Sequence, residues 1–223
     1  MSNSKIHNLF PTPLWIVDFE EEVFTPMNQE IEVGLESLIE HRPTVPPGST
    51  LQTDTDLHEF EEFAEITALI GTSVKGALDF LEIEEPFEIT GCWANINPIG
   101  SVNTPHTHPN NYLSGVYYAR TDEGSDRIFF SDPRPQASII SPPVKEDNIY
   151  TGNEVSVEAK IGRLIMFPAW LTHGVPANQS GKDRISISFN IMFPSFGGQI
   201  SKPKWSPSLK FRPHSNNNKS KLL

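Results

Sequence analysis

Arg184-Ile185-Ser186-Ile187-Ser188-Phe189-Asn190 alternates strictly between polar and apolar side chains. A period of two belongs to a β-strand, and it sends Ile185, Ile187 and Phe189 to one face and Arg184, Ser186, Ser188 and Asn190 to the other. The apolar face must be covered. The polar face either meets water or lines a polar cavity, and this segment taken alone favours water. If it lines a cavity, Arg184 offers a planar fork for a carboxylate and Ser186 a hydroxyl beside it, which together would hold a dicarboxylic acid by one end.

Working outward from that strand, the chain from residue 87 onward is a series of short β-branched and aromatic runs separated by Pro, Gly, Asn and Asp clusters. These runs place strands at 87–97, 112–119, 127–131, 154–159, 163–167 and 184–193, with His173 just beyond the fifth. Residues 9–19 read as an extended entry strand, because Pro11 and Pro13 exclude a helix while Leu14, Ile16 and Val17 supply strand-forming bulk. Two helices follow. The first takes Thr25 as N-cap and Pro26 as its first helical position, with Met27, Ile31, Leu35, Leu38 and Ile39 at helical spacing. The second opens with Asp56 and Glu59 at capping-box spacing and carries Phe60, Phe63, Ile70, Val74, Leu78 and Leu81 on one stripe opposite an acidic face. Residues 43–55 between them read as a proline-rich connection that could also lie over the mouth of a site.

About seven or eight strands behind a pair of helices predict a mainly β fold with supporting α-helices: a double-stranded β-helix (jelly roll, cupin-like) braced on one outer face. Residues 1–200 are expected to form one such domain, since a chain of 223 residues fills one β-sandwich core. The stretch 201–223 carries six basic residues and the run Asn216-Asn217-Asn218, and reads as a mobile basic tail rather than an interaction arm.

The net charge of −11 is unevenly spread: residues 1–100 hold 19 of the 28 acidic side chains, and none follows Asp183. That field repels a phosphate backbone, so no nucleic-acid partner is expected. No apolar stretch approaches the roughly 20 residues needed to span a bilayer, so no membrane partner is expected either. A single cysteine, Cys92, and an N-terminus without a basic and apolar leader point to the cytoplasm. The sequon Asn178-Gln179-Ser180 is then accidental.

Within the strand-rich part, His106-Thr107-His108-Pro109 spaces two imidazoles so that an extended backbone projects both from one face. They can converge on a metal, and neutral imidazole suits iron, zinc, copper or nickel. His173, in Phe167-Pro168-Ala169-Trp170-Leu171-Thr172-His173-Gly174, lies at a strand end among apolar residues and is the natural third ligand. His7 and His214 lie near the termini, and His41 and His58 lie at helix ends where a surface role suffices. A His-x-His pair alone is more often a surface feature, and a lone histidine more often a hydrogen-bonded core residue. Arg184-x-Ser186, eleven positions after His173, shifts the balance.

In this order, His106-x-His108, His173 and Arg184-x-Ser186 resemble the 2-oxoglutarate and iron(II)-dependent oxygenase superfamily, whose jelly roll supplies a His-x-Asp or His-x-Glu pair, a distal His and an Arg-x-Ser. Further pieces are similar to a prolyl-hydroxylase-like branch found in bacteria and phages. They are Leu9-Phe10-Pro11-Thr12-Pro13, Trp93-x-Asn95, Leu113-Ser114-Gly115-Val116-Tyr117-Tyr118, Asp132-Pro133-Arg134 and Phe167-Pro168-x-Trp170-Leu171-x-His173. The resemblance implies Fe(II) on His106, His108 and His173. It implies 2-oxoglutarate anchored by Arg184 and Ser186, O2 as oxidant, and hydroxylation of a substrate with release of succinate and CO2. Tyr118, Asn95 and Asn190 are candidate contacts to the co-substrate, Arg134 a candidate contact to the substrate, and Trp93 and Trp170 are expected to pack the mouth of the barrel.

His108 stands where the superfamily places its carboxylate, so either all three histidines bind metal or Asp132 replaces His108. Two other readings compete: a cupin-like three-histidine metalloenzyme that uses no 2-oxoglutarate, and a non-catalytic jelly-roll binding module. The substrate is a small molecule or a peptidyl residue, the latter favoured by the prolyl-hydroxylase-like layout, and a homo-oligomer is compatible with the chain.

Overall fold

The computed structural model describes residues 4–40, 46, 48–140, 142–146 and 148–198; the basic tail expected at 201–223, with His214, and also His41, lie outside the described residues. Two antiparallel sheets carry the fold. The larger has the order β1 (Trp15–Asp18), β8 (Arg163–Pro168), β5 (Leu113–Arg120), β10 (Arg184–Met192), β3 (Glu88–Asn97), β2 (Leu51–Gln52). The smaller runs β4 (Asn103–His106), β9 (His173–Val175), β6 (Arg127–Ser131), β7 (Glu154–Glu158). From β3 to β10 the chain passes back and forth between the sheets, four strands in each, which is the double-stranded β-helix expected from the strand pattern. β1 and β2 extend the larger sheet at its two edges.

Two apolar layers result from the alternation of the central strands. Tyr117 and Ala119 of β5, Leu164 and Met166 of β8, and Ile185, Ile187, Phe189 and Ile191 of β10 face outward and pack against α1 (Glu21–Ile39) and α2 (Ala64–Phe80). The helices contribute Met27, Ile31 and Leu35, then Ile66, Ile70, Val74, Ala77 and Leu78. The opposite faces of β5 and β8 give Val116, Tyr118, Ile165 and Phe167, which pack between the sheets with Ile128 and Phe130 of β6. Both faces of these strands are therefore covered, unlike the usual antiparallel sheet with one wet side.

Polar clamps fix α1 to the sheet. Asn28 donates from Nδ2 to the Ala119 carbonyl (3.0 Å) and accepts from the Tyr117 hydroxyl (2.6 Å), both buried. Arg163 donates to both carboxylate oxygens of Asp18 (2.6 and 2.8 Å), tying β8 to edge strand β1.

The element boundaries differ from the sequence reading in specific places. α1 begins five residues before Pro26, with Glu20 rather than Thr25 at the N-cap position and its carbonyl accepting from the Val23 and Phe24 amides. The early turn is held by tertiary packing: Phe24 lies against Gly162, whose φ of +75° and missing side chain leave room for the ring. Asp56 does precede a helical turn, but it is a 3₁₀ turn (Leu57–Glu59) without a side-chain cap, and the α-helix proper starts at Ala64. Phe60 is correspondingly exposed, whereas Phe63 is buried. The entry strand is shorter than expected, covering only Trp15–Asp18 and leaving Leu9 and Phe10 exposed.

Strands β2, β4 and β9 have two to four residues each and escaped the sequence pattern, because a period of two cannot be recognised over so few positions. Asn178 of the sequon is 1% exposed and fully engaged, donating to the Asn97 and Lys182 carbonyls and accepting from Ser180, which fits a structural residue and not a glycan acceptor. No helix among the described residues is long and apolar enough to cross a membrane.

Gly162→Ala would force an L-residue into positive φ and drive a methyl group into the Phe24 ring. Chemical denaturation of this variant is expected to show a loss of roughly 1–3 kcal/mol. An unchanged midpoint would show that the first turn of α1 does not depend on this contact.

Candidate metal centre

Pairing of β4 with β9 places His106 directly opposite His173, and the pairing of β6 with β9 sets Phe130 beside His173 on the other side. His108 lies two residues past the end of β4, where its backbone N–H donates to the Ala169 carbonyl (2.8 Å). The three imidazoles thereby meet: one ring nitrogen from each falls within 4.8 Å of the other two, and the His108 and His173 Nε2 atoms are 3.3 Å apart. Among the described residues this is the one group of three or more metal-ligating side chains.

The tautomers follow from the backbone. His106 Nδ1 lies 2.8 Å from the Thr104 carbonyl and His173 Nδ1 2.9 Å from the Leu171 carbonyl. A carbonyl oxygen can only accept, so Nδ1 of each ring carries the proton and Nε2 of the neutral ring presents a lone pair. This is how ligating histidines are oriented in metal sites generally. Burial, with a smaller push from the His106 ring, lowers the pKa of His108 to about 4. Burial also lowers His173 to about 4, against the opposing effect of its bond to the Leu171 carbonyl and with further lowering by His106 and His108. Both rings are consequently neutral near pH 7, the state a metal requires.

Asp132, the alternative to His108, does not join this cluster. Its carboxylate accepts from Arg134 Nε (3.0 Å), Nη2 (2.7 Å) and backbone N–H (2.9 Å), and Arg134 in turn is exposed, so the pair closes a turn on itself. Trp170, expected at the mouth, is 56% exposed, because the turn after β8 points it outward. Trp93 is buried, its ring 5.8 Å from that of His108.

The histidines open onto a cavity of about 740 Å³ between the sheets. Its wall includes Arg184, Ser186, Ser188 and Asn190, so the polar face of β10 lines a cavity between the sheets and not the outer surface. Tyr118, Asn95 and Trp93 line it as well, and Gly48, Ser49, Thr50, Gln52 and Thr55 show that part of the proline-rich connection borders it. Asn103 and Thr104 of β4 are lining residues that no sequence signal identified, since their strand was itself invisible.

Arg184 is 2% exposed. Among the described residues no carboxylate forms an ion pair with it, its Nε has no partner, and its Nη atoms reach the Ser125 carbonyl and Asn103 Oδ1 only at 3.5 Å each. Burial lowers its pKa from the usual guanidinium value, with Tyr118 opposing. The Tyr118 hydroxyl is also buried and unpartnered, and burial raises its pKa, so it stands as a neutral donor. A half-satisfied buried cation beside an unused hydroxyl costs several kcal/mol unless an acceptor arrives. Asn95 donates to Ser188 Oγ (3.0 Å) and Asn190 accepts from Ser114 Oγ (2.6 Å), which holds both amides in fixed orientation on the cavity wall.

Residues 91–190 match a protein family described as "Putative 2OG-Fe(II) oxygenase". No curated protein sequence matches. Among solved structures, the non-haem alpha-ketoglutarate-dependent epimerase SnoN from nogalamycin biosynthesis superposes with a TM-score of 0.59 at 12% identity, covering 82% of this chain and 79% of that one. HygX from Streptomyces hygroscopicus, solved with nickel and 2-oxoglutarate bound, gives 0.58 at 15% identity over 83% and 84%. A Pseudomonas putida prolyl-4-hydroxylase gives 0.54 at 13% identity over 80% and 92%. At such identities the structural likeness speaks for the fold.

In the metal-free protein, the depressed pKa values have a defined consequence for stability. The unfolded chain takes up protons at His108 and His173 first as pH falls, so their contribution is complete above about 6.5 and is lost as pH drops towards about 4. NMR titration should find both rings neutral at pH 6, and midpoints near 6.5 for both would contradict their burial.

Proposed function

We propose that this chain, whose central residues match a 2-oxoglutarate/iron(II) oxygenase family and whose fold those enzymes share, is a non-haem iron(II) dioxygenase that oxidises a substrate at the expense of 2-oxoglutarate. Hydroxylation is the outcome proposed, with succinate and CO2 released. The observation that carries this reading is the buried, unpaired Arg184 in the same cavity as three convergent histidines.

The residues present fit both groups. His106, His108 and His173 would hold the metal through ring nitrogens, two of them aimed by Nδ1–H bonds to backbone carbonyls. Arg184 and Ser186 would take the far carboxylate of 2-oxoglutarate, which supplies the acceptor that Arg184 Nε lacks, and the Tyr118 hydroxyl would donate to the same anion. Asn95 and Asn190, fixed by Ser188 and Ser114, would border the bound co-substrate. When bound, iron and 2-oxoglutarate together supply oxygen activation and the two-electron oxidation of the substrate. The chain orients both, and Val116, Ile128, Phe167 and Trp93 give the cavity an apolar wall beside the polar groups.

A three-histidine set without a carboxylate also suits a cupin-like metalloenzyme that uses no 2-oxoglutarate. That reading leaves the unpaired guanidinium without a purpose, which is why the dioxygenase reading is preferred. The same cavity size, within the roughly 300–1,000 Å³ of ligand sites, admits a small molecule or a peptidyl side chain as substrate.

Anaerobic titration of the Fe(II)-loaded protein with 2-oxoglutarate should develop the weak visible charge-transfer band of a chelated 2-oxo acid. Arg184→Ala should retain iron and raise the 2-oxoglutarate concentration required on the order of a hundredfold, the effect of removing charge-assisted hydrogen bonds to one carboxylate. Iron without a band would favour the cupin-like reading. Separately, His173→Ala should lose stoichiometric metal after dialysis, measured by elemental analysis; full retention would remove His173 from the ligand set.

A further inference from the structure

Strand β4 carries more of the site than His106. Its register against β9 sets Asn103 opposite Val175 and His106 opposite His173, so three steps along β4 match two along β9 and one extra residue is taken up between them. That irregularity brings two positions of odd separation to one face, and Asn103, His106, His173 and Val175 all line the cavity.

Behind Asn103 runs a chain of side-chain hydrogen bonds whose direction Arg184 determines. Asn103 Oδ1 stands 3.5 Å from Arg184 Nη2 and 3.1 Å from Asn97 Nδ2, and the same Asn97 nitrogen lies 2.7 Å from Thr50 Oγ1. A guanidinium can only donate, so the Asn103 atom that faces it is the amide oxygen. That oxygen can only accept, so Asn97 presents its nitrogen, with one proton directed to Asn103 and the other to Thr50. Asn97 is fully buried and stands across the sheet from Arg184, and its backbone carbonyl accepts from the buried Asn178 side chain at 2.8 Å. It is therefore a fixed support for Asn103. The Asn103 Nδ2 group keeps both protons, and no hydrogen bond among the described residues takes either.

We propose that Asn103 is a co-substrate contact: its Nδ2 donates to the far carboxylate of 2-oxoglutarate beside Arg184, and Asn97 is the positioning residue that holds it there. The inference rests on the dioxygenase reading above. It adds to Arg184, Ser186 and Tyr118 a donor from the strand that bears His106, so one strand supplies both a metal ligand and a grip on the co-substrate. A neutral amide suits this role. Its oxygen steadies Arg184 without neutralising it, whereas a carboxylate at the same place would pair with Arg184 and repel the incoming anion.

Two 2-oxo acids separate such a contact from a structural part. Both 2-oxoglutarate and pyruvate present the group that chelates a metal, but only 2-oxoglutarate has a far carboxylate. Anaerobic titration of the full-length, Fe(II)-loaded protein with each acid, read by the charge-transfer band, gives two dissociation constants per variant. Asn103→Asp keeps the shape and the accepting oxygen but exchanges the donor for an anionic oxygen; it should weaken 2-oxoglutarate on the order of a hundredfold and pyruvate less than about threefold. Asn103→Ala should weaken 2-oxoglutarate roughly tenfold, the loss of one hydrogen bond to a charged group, and again spare pyruvate. Asn97→Ala should show the same selectivity, and equal binding of 2-oxoglutarate by this variant and the wild type would remove Asn97 from the positioning role. Unchanged 2-oxoglutarate affinity in the Asn103 variants would overturn the contact. Equal losses for the two acids, or loss of iron from both Asn103 variants by elemental analysis, would also overturn it and make Asn103 a structural member of β4. Either Asn103 variant decides the matter if the other does not fold. A wild-type protein that binds iron yet gives no band with 2-oxoglutarate would overturn the dioxygenase reading and this contact with it, whereas a wild-type band beside unaffected variants overturns the contact alone.

Discussion

Strand β10 must satisfy two incompatible environments at once, and the fold is arranged around that requirement. Hydrogen-bonded to β3 on one side and β5 on the other, it sits inside the larger sheet with no free edge. Its odd positions, from Ile185 to Ile191, are buried against the helices, and its even positions, from Arg184 to Asn190, form one wall of the cavity. A slip of one residue in register would put a guanidinium into the helix interface and isoleucines into the polar cavity. The helices are therefore part of the site's construction: they cover the outer face so that the inner face can be polar.

The histidine cluster depends on the second sheet in a similar way. β4 and β9 are too short to be stable on their own pairing, but β9 also pairs with β6, whose Phe130 stands opposite His173. Backbone carbonyls two residues before His106 and His173 hold the rings. The orientation of the ligand atoms is thus set by local chain geometry, whereas the distance between them is set by cross-strand register. That division places a rigid donor set at one end of a cavity whose other end is a buried cation lacking a counter-charge. One end offers lone pairs suited to a metal cation and the other a guanidinium suited to an anion.

Long alternating segments were the legible part of this chain. β3, β5, β6, β8 and β10 appear within a residue or two of their expected limits, because each is long enough for side-chain period and turn residues to agree. The short strands were not legible, and neither was the start of α1, where Thr25-Pro26 gives a strong local signal that the packing of Phe24 on Gly162 overrides. Trp170 shows the same limit from the other direction: its size suggests burial, yet the turn that delivers His173 inward leaves it in solvent. For Tyr118 the ordinary expectation of a core tyrosine with a satisfied hydroxyl fails: its buried hydroxyl has no hydrogen-bond partner among the described residues.

By itself the sequence determined the strand alternation, the helical stripes, the His-x-His spacing and the order of histidines before arginine, since all of these are properties of neighbouring residues along one chain. Only the tertiary structure decided that the polar face of β10 looks inward, that His108 and not Asp132 joins His106 and His173, and that Arg184 is left without a counter-ion. Each of those outcomes turns on which distant surface covers a given face and which distant group comes within hydrogen-bonding reach. Solvent exclusion and charge pairing are three-dimensional conditions, and spacing along the chain carries no record of them.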